Sequence, residues 1–170
     1  TQIAWQPFTN GALGATQVVS FQHDEDRLLC RLAPRAARAD ETFSLTVSYR
    51  LRRDESARPS GLRWSTTRSG EPWIASFSQP VGAHTWWPCK SSFFHPEDKA
   101  ERVALEITVP AGLVAVSNGR LLGPGGAQAL RPVEFPAAEE REWHTFRWSH
   151  DYPTSTFTVA LAIGPFVEVA

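Results

Sequence analysis

Histidine and cysteine are the side chains of this sequence best suited to hold a metal ion or to activate a nucleophile. The sequence contains His23, His84, His95, His144, His150, Cys30 and Cys89. It has no His-Glu-x-x-His motif, and its cysteines lie far apart without a Cys-x-x-Cys, so their spacing predicts no zinc site. A Gly-x-Ser-x-Gly nucleophile motif is also missing. The Gly-rich residues 123–126 lack the Lys and Ser or Thr of a phosphate-binding loop, so a surface loop is predicted there. These residue types do not predict catalysis by this chain alone.

Residues 77–90, FSQPVGAHTWWPCK, concentrate side chains suited to binding a polar group. Pro80 and Gly82 lie too close together for a continuing strand. We therefore predict a rigid loop that presents Gln79 and returns to the core through its two tryptophans. The Gln79 amide offers two donors and one acceptor without charge, which suits it to position a polar ligand group. The alternative from the residues alone is that Gln79 only hydrogen-bonds the backbone of its own loop.

Alternation of apolar and polar residues, typical of half-buried strands, predicts the elements that would position this loop. The clearest alternating segments are residues 43–51, 103–109, 144–148 and 157–163, with weaker ones at 27–32, 73–77, 113–116 and 166–169. Asn118-Gly119 predicts a hairpin between residues 113–116 and Leu121-Leu122. Helical signals are poor, with residues 34–41 short and 97–102 sufficient for one turn. About eight short strands predict an all-β antiparallel sandwich or open barrel.

Composition narrows the class of protein. A chain of 170 residues, 42% of them hydrophobic, is long enough for one domain with its own core. Its 17 basic and 18 acidic residues sum to −1, which gives no electrostatic basis for binding nucleic acid or an anionic membrane. No apolar run approaches the ~20 residues that span a bilayer. Because the sequence has no Met, we expect it to be a piece of a longer protein.

Seven tryptophans are many for a nearly neutral chain, and they indicate a β-rich core, an aromatic binding face, or both. They are Trp5, Trp64, Trp73, Trp86, Trp87, Trp143 and Trp148. An alternative function is therefore a non-catalytic β-sandwich module that binds carbohydrate or protein through surface tryptophans.

The segment that begins at residue 77 resembles the N-terminal domain of the zinc aminopeptidase family, typified by aminopeptidase N and leukotriene hydrolase. The family pattern is a Gln, an Ala, an aromatic-Pro-Cys triplet and then Asp-Lys-Ala. This sequence matches it with Gln79, Ala83, Trp87-Pro88-Cys89 and Asp98-Lys99-Ala100. A weaker likeness covers residues 27–169. The sequence departs from the pattern at His84, where Arg is common, and after Lys90, where residues 91–94 replace the usual Asp.

The resemblance implies a saddle-like antiparallel β-sheet domain over residues 1–170, with the catalytic domain absent from this chain. It implies zinc in the full-length enzyme, but no metal ligand and no catalytic residue here. Gln79 lies nine residues before Pro88, where the family places a Glu or Gln. The resemblance implies that this side chain binds the free α-amino end of a peptide substrate, and that the domain walls the active site. The resemblance implies the covalently linked catalytic domain and peptide substrates as partners, while the charge and the short apolar runs predict no nucleic-acid and no membrane partner.

We expect the isolated chain to bind no stoichiometric zinc and to hydrolyse no aminoacyl substrate, because it lacks the zinc-binding helix of the family. Metal analysis after dialysis and a fluorogenic aminoacyl substrate measure the two properties. One tightly held zinc per chain, or turnover that survives repurification, would contradict this interpretation.

Overall fold

A computed structural model describes residues 1–24, 27–32, 41–51, 60–79, 81–90, 97–125 and 142–167. These residues form β-strands and two short 3-10 helices, with no α-helix among them, which confirms the all-β prediction. None of the helices in these ranges has the length and apolarity to cross a membrane. The chain divides into two compact units, Thr1–Glu55 and Ser56–Ala170. The single saddle-like domain expected from the resemblance stays a prediction.

The first unit is organised around one long strand, β1, and a separate hairpin. Its strands are β1 (Gln2–Thr9), β2 (Ala12–Leu13), β3 (Gln17–Val18), β4 (Ser20–Asp24), β5 (Arg27–Arg31) and β6 (Phe43–Ser48). β1 pairs antiparallel with β2, β3 and β6, while β4 pairs with β5. Asn10 and Gly11 have φ of 53° and 79°, as the two-residue turn between β1 and β2 requires. Ile3, Trp5 and Val19 form the buried core of this unit.

The second unit contains two antiparallel sheets. Its strands are β7 (Gly61–Thr66), β8 (Pro72–Phe77), β9 (Val103–Pro110), β10 (Val114–Ser117), β11 (Arg120–Gly125), β12 (Trp143–His150) and β13 (Leu161–Gly164). One sheet has the order β7-β8-β13-β10, and the other has the order β11-β12-β9. Because β13 is the last of these strands along the chain, the first sheet is assembled from segments distant in sequence.

The two sheets of this unit are joined through a tryptophan. The Trp148 indole on β12 donates to the Ala115 carbonyl on β10 at 3.0 Å, and Ala115 is fully buried. Val109 and Thr145 are also buried, and the Thr145 hydroxyl lies 3.0 Å from that of Thr108 on the neighbouring strand. The Trp148 indole and the buried Thr145 hydroxyl are therefore both hydrogen-bonded in the interior of this unit.

The chain passes from one sheet to the other at Asn118-Gly119, which corrects the predicted hairpin. β10 pairs with β13 and β11 pairs with β12, so the strands that flank this dipeptide do not pair with each other. Of the two residues, only Gly119 has a positive φ, of 87°. The Asn118 side chain instead donates to the Thr158 carbonyl at 3.1 Å and accepts from the Ala160 amide at 2.6 Å. Asn118 thus ties the corner to the segment before β13.

The predicted strand over residues 157–163 is wrong in its first half. Residues Thr156–Thr158 form a 3-10 helix, and the strand begins only at Leu161. The Asn118 amide binds the backbone at residues 158 and 160, so a neighbouring strand has no access to those groups. Alternation alone does not reveal this competition between a side chain and a strand partner.

The structure of the remaining segments compares with the sequence predictions as follows. Residues 123–125 of the predicted loop continue β11, which pairs with β12 through a register shift between Leu121 and Pro124. The single helical turn predicted over residues 97–102 is wrong: the Lys99 amide donates to the Glu97 carbonyl, and Ala100 then forms an isolated β-bridge with Thr154. Residues 166–167 lie outside any strand. The predictions over residues 34–40 and 168–169 lie outside the described residues.

The corner at Gly119 yields a test of the sheet-to-sheet crossing. A Cβ at Gly119 would lie 2.1 Å from the Ser149 carbonyl oxygen, whereas one at Gly112, with a similar φ of 90°, meets nothing within 4 Å. We expect Gly112→Ala to cost about 1–2 kcal/mol from backbone strain alone, and Gly119→Ala about 2–5 kcal/mol because the backbone must also shift. Chemical denaturation measures both free energies of unfolding. Equal losses would contradict the close approach of the corner to β12.

Candidate functional site

The predicted binding loop begins where β8 ends. Ser78 follows the last residue of the strand and is buried, with 6% of its surface exposed. The Gly82 amide donates to the Ser78 carbonyl at 2.6 Å and closes the turn. A 3-10 helix, Ala83–Thr85, follows directly. The predicted end of the strand before Pro80 is therefore confirmed, although Pro80 itself lies outside the described residues.

Glycine is required at two places where this turn contacts the start of β7. A Cβ at Gly82 would lie 2.3 Å from the Cβ of Ser60. On the other side, Gly61 has a φ of 109°, and a Cβ there would lie 2.8 Å from the Thr85 hydroxyl. That hydroxyl also donates to the Gly82 carbonyl at 2.6 Å. Close backbone approach thus holds one side of the turn against β7.

The two tryptophans after the turn have different roles. Trp86 is 6% exposed, and its indole nitrogen donates to the Ser78 hydroxyl at 2.7 Å. Trp87 is half-buried, and its ring centroid lies 6.0 Å from that of Trp86 at an interplanar angle of 53°. The buried Trp87 indole nitrogen has no acceptor within the described part of the chain. The predicted return to the core is therefore made mainly by Trp86.

Gln79 lies at the exposed side of this turn. Its neighbour Ser78 points into the unit, while Gln79 is exposed. Its side chain makes no hydrogen bond to the residues that the structure describes, so the alternative in which it binds its own loop backbone is not seen there. The amide therefore remains available to donate to, or accept from, a polar group of a ligand.

The segment after the turn is held by contacts that the sequence did not predict. The Thr156 hydroxyl donates to the Lys90 carbonyl at 3.1 Å. The Lys90 ammonium forms a salt bridge with Asp98, the acid of the matched Asp-Lys-Ala triplet, on the surface. Ala100 of that triplet exchanges two backbone hydrogen bonds with Thr154, at 3.0 and 2.9 Å. Because both charges are exposed, the salt bridge contributes less than the backbone pair.

The tryptophans do not form a binding platform on the sheet that carries the turn. Trp64 on β7 is 43% exposed and Trp73 on β8 is 37% exposed. Trp64 pairs with Ile74 and Trp73 pairs with Ser65, which places the two tryptophans on opposite faces of the sheet. Trp73 packs over Gly164, where a Cβ would lie 3.0 Å from its ring. This arrangement does not favour a carbohydrate-binding face made from these two rings.

The described histidines and cysteines do not come together. No group of three or more His, Cys, Asp or Glu side chains in the described ranges could hold a metal ion. His144 contacts Glu142, and His150 contacts the Thr154 hydroxyl at 2.8 Å. His95 lies outside the described residues. These side chains do not fit a zinc ion, so no chemical step by this chain is derived from one.

Comparison with known proteins gives a likeness of fold. No protein-family model matches this sequence, and no curated protein does. Among solved structures, an M1 zinc metallopeptidase from Deinococcus radiodurans superposes with a TM-score of 0.61 at 23% sequence identity. The match covers 96% of this chain and 31% of that one. At this identity the match shows a shared fold over almost the whole chain, which spans about a third of the length of the metallopeptidase.

Cys89 offers a test of the environment after the turn. Burial raises the pKa of the Cys89 thiol, and a hydrogen bond with Thr156 lowers it by a smaller amount. Both cysteines are free thiols in the structure. We expect two thiols per chain in denaturant, and slow alkylation of native Cys89 near pH 8 that accelerates as the pH rises, since the thiolate is the nucleophile.

Mass spectrometry of the alkylated peptides separates Cys89 from Cys30. A chain two protons lighter with no titratable thiol would contradict the expectation of free cysteines. Thr156→Val removes the hydroxyl whose hydrogen bond lowers the pKa of Cys89, and because it also removes the bond from that hydroxyl to the Lys90 carbonyl, the melting temperature is measured alongside. We expect alkylation of Cys89 to slow further in this variant.

Proposed function

We propose that this chain is the N-terminal β domain of a zinc metallo-aminopeptidase, where it walls the active site and helps to bind the peptide N-terminus. The observation that supports this most directly is the fold shared with an M1 zinc metallopeptidase over 96% of this chain. The residues that match the family pattern, from Gln79 to Ala100, lie in the turn after β8 and the segment that follows it. The catalytic domain is the proposed partner, covalently linked in the parent protein.

In this proposal the chain contributes binding and not bond cleavage. The zinc chemistry that cleaves the peptide bond would belong to the catalytic domain, and no residue that the structure describes in this chain would hold the metal. Gln79 accepts hydrogen bonds from the α-ammonium group of the peptide through its carbonyl oxygen, Oε1. Because that oxygen carries only a partial charge, the interaction is weaker than that of a carboxylate at the same position.

Removal of the Gln79 amide in the full-length enzyme tests the proposed role. We expect Gln79→Ala to lower kcat/KM about 10- to 150-fold, which corresponds to about 1.5–3 kcal/mol for a hydrogen bond to a charged group. The zinc content and the melting temperature should stay unchanged, because the side chain is exposed. Wild-type kcat/KM on several peptides would show that the loop is structural only.

Gln79→Glu is the matched variant, since it keeps the shape of the side chain and adds a negative charge. We expect it to keep or improve the kcat/KM for peptides with a free amine and to discriminate more strongly against N-acetylated peptides. If Gln79→Glu had wild-type kcat/KM for both free-amine and N-acetylated peptides, contact between residue 79 and the amine would be contradicted.

A further inference from the structure

We infer that the hydrogen bond between Trp86 and Ser78 positions Gln79, so that both residues tune substrate binding without touching the substrate. The inference rests on the proposed function, because it concerns how the same turn is held. Trp86 and Ser78 are each 6% exposed, and the indole nitrogen lies 2.7 Å from the hydroxyl oxygen. A hydrogen bond between two buried neutral groups is costly to break, because the donor and the acceptor are then left without any hydrogen-bond partner.

Ser78 is held through its hydroxyl and its carbonyl. Its hydroxyl accepts from Trp86, and its carbonyl accepts from the Gly82 amide at 2.6 Å. Both bonds come from residues on the far side of the turn and end on Ser78, the neighbour of the exposed Gln79. On that far side, Gly82 is fixed against Ser60 by close approach. The residue before Gln79 and the residue that closes the turn are therefore both held.

A turn held in this way affects binding more than chemistry. When the backbone that carries a binding side chain is ordered before the ligand arrives, less conformational entropy is lost on binding. Loss of the Trp86–Ser78 bond should therefore raise KM while kcat changes little, because the zinc chemistry occurs in another domain. Trp86 and Ser78 are thus positioning residues that act through Gln79.

Trp87 supplies the matched control. It is adjacent to Trp86 and is also a packed tryptophan, but its indole nitrogen has no acceptor in the described residues. Trp86→Phe and Trp87→Phe remove the same atoms, and only the first removes a hydrogen bond. Ser78→Ala removes the same bond from the other side with a smaller loss of volume, so it serves if Trp86→Phe folds poorly.

The experiment measures KM and kcat of the full-length enzyme for these three variants, each with and without Gln79→Ala. We expect Ser78→Ala and Trp86→Phe to raise KM about 3- to 12-fold with kcat within twofold, and Trp87→Phe to leave both near wild type. In the Gln79→Ala background, Ser78→Ala should have no further effect, because the side chain it positions is gone. An equal further loss there would overturn the inference and leave the role of Gln79 standing.

Hydrogen exchange of the peptide that contains Gly82 provides a readout that does not depend on substrate. The Gly82 amide donates within the turn, so we expect its exchange to be about 5-fold faster or more in Ser78→Ala and Trp86→Phe than in Trp87→Phe. If Gln79→Ala has wild-type kinetics, the proposed function fails and the effect on substrate binding fails with it, while the exchange rates still test separately whether the Trp86–Ser78 bond holds the turn. Unchanged exchange in Ser78→Ala and Trp86→Phe would overturn the inference in either case.

Discussion

The pairing of β13 with β8 and β10 is the interaction on which the second unit depends. β13 lies between these two strands, and the Leu161 amide also donates to the Ser76 hydroxyl at 2.9 Å. Ser76 lies two residues before Ser78, so β13 supports the end of the strand from which the turn leaves. Asn118 binds the segment just before β13 and thereby links this support to the corner between the sheets. The exposed Gln79 is therefore positioned by residues far from it in the sequence.

The two Asn-Gly dipeptides show how much of this fold the sequence could predict. Asn10-Gly11 has two positive φ angles and joins paired strands, although β1 was not predicted because its alternation is weak and it contains Pro7. Asn118-Gly119 has the same letters, yet it joins strands of different sheets. The difference lies in the Asn118 amide, which binds backbone about 40 residues away. Local sequence does not contain that information, whereas the regular alternation over residues 103–109 and 144–148 was sufficient to predict β9 and β12.

In the candidate site, too, local features were predictable from the sequence and long-range contacts were not. Exposure of Gln79 and burial of Trp86 were predictable, because Pro80 and Gly82 end a strand and tryptophan favours the core. The hydrogen bond from Trp86 to Ser78 was not, since a serine before a loop residue has many possible partners. The need for glycine at position 82 depends on Ser60, which no local pattern links to it. Tertiary contacts, and not residue type, therefore determine how firmly the turn is held.

The long separation between β8 and β13 has a consequence for synthesis of the protein on the ribosome. The contact between Leu161 and Ser76 spans 85 residues. At translation rates of about 5–20 residues per second, β8 emerges about 4–17 s before its partner strand exists. During that interval β8 can pair with β7, but its other edge offers unpaired backbone to neighbouring nascent chains. Strand β13 thus pairs with the open edge of β8 and ends the period in which this edge is exposed to aggregation.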